Sequence, residues 1–264
     1  MQDHLPSPFM TGLLELALEA GSAIMTVYAG ESQPRWKEDS TPVTEADLIA
    51  ENIILAGLAK LSPQTPVISE ESAAIGVLPP LRNEFFLVDP LDGTKEFLSR
   101  NGEFTVNIAL IDKTFPIMGI VFAPALPRLF WAESGKGAFE APVTSGGRLA
   151  RPAHRPLSAS PLPSRGLRVV ASRSHRDALT EEWLRSRDVA SLVCAGSSLK
   201  FCLIASGEAD VYPRFGRTME WDTAAGHAIL SAAGGKVLTG DGKPLTYGKS
   251  AGRFANPFFI ASGP

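Results

Sequence analysis

Two strand-like apolar runs in this chain end on carboxylates. PVIS (66–69) leads into Glu70-Glu71, and FFLV (85–88) leads into Asp89-Pro90-Leu91-Asp92. Apolar runs of this kind belong inside a sheet, so the acids that follow them sit at a sheet edge, where ligands gather. Pro90 fixes one backbone angle and Gly93 permits a tight turn, so Asp89 and Asp92 can face one pocket. Carboxylates that converge repel one another unless a cation lies between them. Oxygen ligands without histidine or cysteine favour magnesium or calcium over zinc.

The remaining pattern supplies the scaffold. Apolar residues at helical spacing, among them Leu13, Leu16, Ala17, Ala20, Ile24 and Val27, predict a helix from Phe9 to Tyr28, with Gly30 just beyond it. A second helix is predicted over 44–61, apolar except for a stripe at Asp47 and Glu51. Strands follow at 104–111 (Phe104, Val106, Ile108 and Leu110 on one side), in IMGIVFAP and in RLFWAE. A stretch rich in Pro, Arg and Ser from Arg151 to Arg165 reads as a linker or a long surface loop. Beyond it strands and helices alternate: LRVVAS, helix 177–187, DVASLVCA, helix 197–206, EADVYP, helix 222–233 and KVL. The expected architecture is an α+β part over 1–155 and an α/β part over 156–264, with helix and sheet layers alternating and the metal site between the parts.

The chain of 264 residues is 44% hydrophobic with a net charge of -3, which supplies material for a core and gives no basic face for a nucleic-acid polymer. Cys194 and Cys202 form no spaced set with the four histidines, so zinc has no support and a reduced compartment fits. The first residues, MQDHLPSPFM, lack a basic leader, and no run of about 18 apolar residues marks a membrane span. The expected location is the cytoplasm, with peripheral association at the inner face of the cell membrane left open.

Thr94 opens a short helix, TKEFLS, whose N–H groups can hold a phosphate oxygen. Far along the chain, Trp221-Asp222 precedes the small-residue helix TAAGHAILSAAGG, and Asp222 can face the same pocket. Each feature has a plainer explanation alone. Asp47 fits a capping box with Thr44, Asp222 an N-cap, Asp92-Gly93 a turn, and Glu70-Glu71 a solvated strand end. Together they form a pattern that those separate explanations do not predict.

TPVTEAD (41–47), SEES (69–72), DPLDGTKEF (89–97), NGEFTVNIALI (101–111) and WDTAAGHAILSAAGG (221–235) together resemble the inositol monophosphatase superfamily, from Lys37 to Asn256. Members are lithium-sensitive, magnesium-dependent phosphatases. LDGTKEF, GSSLKFCLIASGEADVYPRFG (196–216) and WDTAAGH resemble most the bacterial CysQ-type 3′(2′),5′-bisphosphate nucleotidases of sulfur metabolism, whereas inositol phosphatases typically read DGT-x-N-F.

The resemblance implies the following roles. Glu70, Asp89 and the Leu91 carbonyl hold one magnesium, and Asp89, Asp92 and Asp222 hold a second. Glu70 helps a weaker third through water. Asp47 and the Thr94 hydroxyl orient and deprotonate the attacking water, and the Gly93 and Thr94 amides hold the phosphate. Ser197, Lys200 and Arg214 fall where this branch contacts its nucleotide; the loop Ser172–His175 is nearby without an assigned role. The implied substrate is 3′-phosphoadenosine 5′-phosphate. An inositol or sugar-phosphate phosphatase and a non-catalytic metal or nucleotide sensor stay open, as does a homodimer.

Overall fold

The computed structural model describes residues 5–30, 35–36, 42–144, 149, 154–173 and 177–264. In chain order the first part comprises α1 (Pro8–Ala29), β1 (Arg35–Trp36), β2 (Pro42–Val43), α2 (Glu45–Leu61), β3 (Val67–Ser69), α3 (Glu70–Ala74), β4 (Glu84–Asp92) and α4 (Thr94–Leu98). It continues through β5 (Thr105–Asp112), β6 (Phe115–Ala123), β7 (Arg128–Glu133), β8 (Gly137–Pro142) and β9 (Arg155–Pro156). Then follow β10 (Leu167–Ser172), α5 (Ala178–Arg185), β11 (Val189–Ala195), α6 (Leu199–Ala205), β12 (Val211–Arg214), α7 (Ala224–Ala232), β13 (Lys236–Thr239) and β14 (Phe259–Ser262).

Strands β3 to β9 form a seven-stranded sheet in sequential order, antiparallel except for the parallel β3–β4 pair. Both of its faces are buried, which explains why β5 is apolar at nearly every position. Phe104, Val106, Ile108 and Leu110 face α1 and α2, in a cluster with Met10, Leu13, Ile24 and Ile54. Ala109 and Ile111, with Phe85, Leu87 and Phe130, meet Phe201 of α6 and Ile229 of α7. The same cluster continues to Val170, Tyr212 and Phe259 of the five-stranded sheet β11-β10-β12-β14-β13. On that sheet's far side, Val169 and Val211 pack against Leu184 of α5. Helix and sheet layers therefore alternate through the molecule, as the sequence implies.

Helix α1 starts at a defined cap: Ser7 Oγ accepts the Met10 N–H at 3.0 Å and Pro8 takes the first turn. By length and hydropathy alone this helix is long and apolar enough to cross a membrane, as the core helix of a globular protein also can be. Its apolar face is nevertheless part of the core, where a Cβ at Gly21 would lie 2.3 Å from the Phe122 ring. Helix α7 crosses the other face just as closely, since a Cβ at Gly119 would lie 2.4 Å from the Ala225 carbonyl oxygen.

One expectation differs from what is found. The connection expected as a surface loop enters the core: Arg155–Pro156 pairs with β8, and Leu157 and Ala159 are buried. Residues 151–153 of that stretch lie outside the described residues. The second sheet, for which the sequence gives no strand directions, is mixed, because β14 inserts antiparallel between β12 and β13.

Candidate active site

The geometry begins with a bulge. Residues three apart on a regular strand point to opposite faces. On β4, Asp89 pairs with Asn107 and Asp92 with Thr105, so Pro90 and Leu91 together oppose the single residue Val106. The extra residue turns Asp92 back to the face of Asp89, and both line one cavity of about 850 Å³. Gly93 follows at φ 96°, a left-handed turn that favours glycine, and hands the chain to α4. The N–H of Leu91 donates to Asp89 Oδ1 at 3.1 Å, which fixes that carboxylate within the bulge.

Glu70 begins α3 directly after β3, and Asp222 lies just before Thr223, the cap residue of α7. Asp222 is not a cap in its own right. Its Oδ2 accepts the N–H of Met219, upstream of it, at 2.8 Å. Carboxylate oxygens of Glu70, Asp89 and Asp222 lie within 4.8 Å of one another. Burial, then the charges of Glu70, Asp92, Asp222 and Asp47, push the Asp89 carboxyl well above its ordinary range. Asp222 is raised by burial and then by Asp92 and Glu70. Asp92 rises to about 6, mainly through burial; Lys200 and the Ser198 N–H pull the other way. Such a cluster is electrostatically unfavourable alone and suits a hard divalent cation. The donor set is all oxygen, so these residues fit magnesium.

Beside the cluster, Asp47 divides its two oxygens. Oδ2 accepts the Thr44 N–H at 2.7 Å and the Thr44 hydroxyl at 2.6 Å, forming the capping box of α2. Oδ1 accepts the Thr94 hydroxyl at 3.2 Å. One carboxylate, buried to 2% exposure, thus caps α2 with one oxygen and meets the Thr94 hydroxyl with the other.

Leu91, Gly93, Ser197, Lys200 and Arg214 line the same cavity as the acids. Lys200 is buried, its Nζ donating to the Ala195 carbonyl at 3.3 Å and to the Ser197 carbonyl. Burial, with Arg214 nearby, brings it down to about 8. Ser197 stands at φ 48°, left-handed, and Arg214 Nη2 donates to the Arg217 carbonyl at 2.8 Å. Ser172 also lines the cavity; residues 174–176, which include His175, are outside the described residues.

The family model described as "Inositol monophosphatase family" matches residues 5–261. The chain belongs to the inositol monophosphatase family. The 3′(2′),5′-bisphosphate nucleotidase CysQ of Escherichia coli (strain K12) is 46% identical over 251 residues, 94% of this chain and 97% of that one. The protein of the same name from Buchnera aphidicola subsp. Acyrthosiphon pisum (strain APS) is 44% identical over 254 residues, 95% of this chain and 92% of its own length. The crystal structure of CysQ from Bacteroides thetaiotaomicron, a bacterial member of this family, superposes with a TM-score of 0.79 at 37% identity, covering 96% of both chains.

Behind this inositol monophosphatase-type site lie bracing residues to which the sequence assigned no role, Glu51 being visible there only as a polar position beside Asp47. Glu51 Oε1 accepts the Ser72 N–H at 3.0 Å and the Ser69 hydroxyl, bracing the turn that carries Glu70. Asp92 Oδ2 accepts the Ser198 N–H at 2.7 Å and Asn107 Nδ2 at 3.3 Å, and Ser198 Oγ donates to Asn107 Oδ1 at 2.6 Å. Glu103 clamps the same turn by accepting the Gly196 N–H at 2.8 Å and pairing with Arg173 at 2.7 Å. A buried asparagine in the apolar run TVNIALI was the one visible signal for the second of these.

Proposed function

We propose that this chain is a magnesium-dependent 3′(2′),5′-bisphosphate nucleotidase that hydrolyses 3′-phosphoadenosine 5′-phosphate to AMP and phosphate. The observation that carries the reading is the Thr94–Asp47 hydrogen bond of 3.2 Å at the edge of the carboxylate cluster. It joins a proton relay to a site built for cations. The CysQ relatives supply the substrate class.

Glu70, Asp89 and the Leu91 carbonyl would hold one ion, and Asp89, Asp92 and Asp222 another, with a third more weakly bound through Glu70. Bound divalent ions lower the pKa of water and neutralise charge on phosphoryl oxygens. The Thr94 oxygen accepts a proton from the attacking water as its own proton passes toward Asp47 Oδ1. Asp47 can receive it because the Thr44 donors hold its other oxygen still. The Gly93 and Thr94 amides hold the phosphate, and the ribose oxygen leaves with a proton from solvent. Ser197, Lys200 and Arg214 contact the nucleotide, the two cations facing the phosphate that remains.

Phosphate release by purified protein, with and without magnesium, tests this. The panel is 3′-phosphoadenosine 5′-phosphate, 3′-AMP and an inositol monophosphate. Preferred hydrolysis of the inositol phosphate would refute the substrate assignment, and magnesium-independent turnover would refute the cofactor.

A further inference from the structure

Asp222 stands in a turn that is held from outside the helix it precedes. Its Oδ2 accepts the Met219 N–H at 2.8 Å, and its own N–H returns to the Met219 carbonyl at 3.2 Å. The carboxylate therefore stands where the Met219 peptide puts it. Thr223, the cap residue of α7, makes no side-chain cap to that helix. One side chain, distant in sequence, binds both. Asn256 Nδ2 donates to the Met219 carbonyl at 2.8 Å, to Thr223 Oγ1 at 3.0 Å and to Thr218 Oγ1 at 3.2 Å. The carbonyl can only accept, so the amide must turn its nitrogen that way. The other atom shows what this costs: Asn256 Oδ1 is buried with no partner among the described residues, an unfavourable state for an acceptor.

The loop that delivers Asn256 is itself constrained. Arg253 and Phe254 are consecutive non-glycine residues at φ 51° and 60°, an unfavourable conformation that surrounding structure must impose. Its backbone pairs with the turn on both sides of an isolated Met219–Ala255 bridge. Asn256 N donates to the Thr218 carbonyl at 2.9 Å, and Glu220 N to the Phe254 carbonyl at 2.8 Å. From within the turn, the fully buried Glu220 side chain reaches back to the loop. Its Oε2 accepts the Gly248 N–H at 2.7 Å, and its Oε1 accepts the Lys249 N–H at 2.8 Å and pairs with Lys249 Nζ at 2.7 Å. The two segments hold each other: Glu220 fixes the loop, and Asn256, on the loop, fixes the turn.

We infer that Asn256 is a positioning residue of the metal site: through the Met219 carbonyl and the Thr223 hydroxyl, its amide sets where the Asp222 carboxylate stands relative to Glu70 and Asp89. Asn256 does not line the cavity, so its effect on the site passes through Asp222. Oxygens of the three acids lie within 4.8 Å of one another, and a small displacement of the turn would open that set. Groups that orient a metal ligand from behind are typically worth about 10–100-fold in metal affinity. The inference rests on reading Asp222 as a magnesium ligand.

Calorimetric titration of full-length, metal-free protein with magnesium provides the test, with melting curves and steady-state kinetics beside it. Wild type that binds no magnesium, or Asp222→Asn that binds it as tightly as wild type, would refute the ligand reading itself, whatever Asn256 does. Given both results, Asn256→Ala should weaken magnesium binding about 10–100-fold. It should raise the magnesium concentration for half-maximal turnover by a similar factor. The KM for 3′-phosphoadenosine 5′-phosphate at saturating magnesium should stay within about threefold, because the amide meets the turn and not the nucleotide. A merely structural clip would lower the Tm of the metal-free protein and leave magnesium affinity within about twofold of wild type, which would overturn the positioning role. If Asn256→Ala does not fold, Thr223→Val serves. That variant keeps the bond to the Met219 carbonyl and loses the one to Thr223, so magnesium should bind about threefold more weakly; no change would overturn the role as well.

Discussion

Thr94 and Asp47 are 47 residues apart in sequence and share a hydrogen bond of 3.2 Å, in which the threonine hydroxyl donates. The direction of that bond is the one the proposed relay requires. Because the Thr44 N–H and hydroxyl hold Asp47 Oδ2, the carboxylate has one oxygen left to turn toward Thr94.

Asp47→Asn should therefore reverse the bond. The amide oxygen stays with the Thr44 donors, the amide nitrogen faces Thr94, and the threonine can no longer pass its proton on. Turnover should fall about 10²–10⁴-fold, the range of general acid–base contributions, with little change in Tm because the cap survives. Thr94→Val should lose as much and Thr94→Ser much less. Combining Asp47→Asn with Thr94→Val should cost no more than either change alone, since the two act as one unit. Additive losses in kcat would show that they act separately.

Asp89→Asn should abolish turnover and raise thermal stability in the absence of divalent ions. The amide can still accept the Leu91 N–H while the charge repelled by Glu70, Asp92 and Asp222 is gone. Glu70→Gln should be less damaging, since Glu70 is assigned mainly to one ion and Asp89 to two. Melting curves with and without magnesium check this: the wild type should gain Tm from the ion and Asp89→Asn should gain far less. Near-normal activity of Asp89→Asn at saturating magnesium would contradict the bridging assignment.

The same repulsion sets a pH dependence. Asp89, Asp92 and Asp222 have folded pKa values above their unfolded ones, so the folded state binds more protons and loses stability as pH rises. For Asp92 the loss develops between the ordinary carboxylate value and about 6 and is complete above that. Metal-free protein should accordingly melt at a higher temperature at mildly acidic pH than at neutral pH, and magnesium should narrow the gap by stabilising the ionised cluster. Magnesium binding should weaken on acidification and release protons at neutral pH. Metal-free protein that is more stable at neutral than at mildly acidic pH would contradict this account of the cluster.

The clustered acids were legible because Glu70 and Asp89 each end an apolar run and Asp222 stands at the start of a small-residue helix, and carboxylates in such places need a reason. The bulge was only half legible. Pro90 and Gly93 announced irregular backbone, but the pairing of Asp89 with Asn107 and Asp92 with Thr105 depends on a partner strand. Strand β14 escaped because its neighbours, β12 and β13, lie 45 and 20 residues or more upstream, and no local pattern signals an insertion between them. Glu103 and Glu220 escaped for a related reason. Each looks like an ordinary surface acid until the fold brings Gly196 to one and Gly248 to the other.

Substrate choice can be tested through charge at Arg214. This residue is 8% exposed at the end of β12, lines the cavity, and holds the Arg217 carbonyl with Nη2. A charged contact truncated in a partly buried site costs about 2–5 kcal/mol. Arg214→Ala should then lose on the order of a hundredfold or more in kcat/KM on 3′-phosphoadenosine 5′-phosphate, while 3′-AMP, lacking the second phosphate, should be hydrolysed almost as before. Asp47→Asn is the control, because it touches the water relay and should depress both substrates alike. Equal losses on both substrates in Arg214→Ala would mean that the arginine shapes the cavity without reading the second phosphate. Selectivity for a bisphosphate would then have no support at this position, and an inositol or sugar phosphate would fit the same cluster of acids equally well.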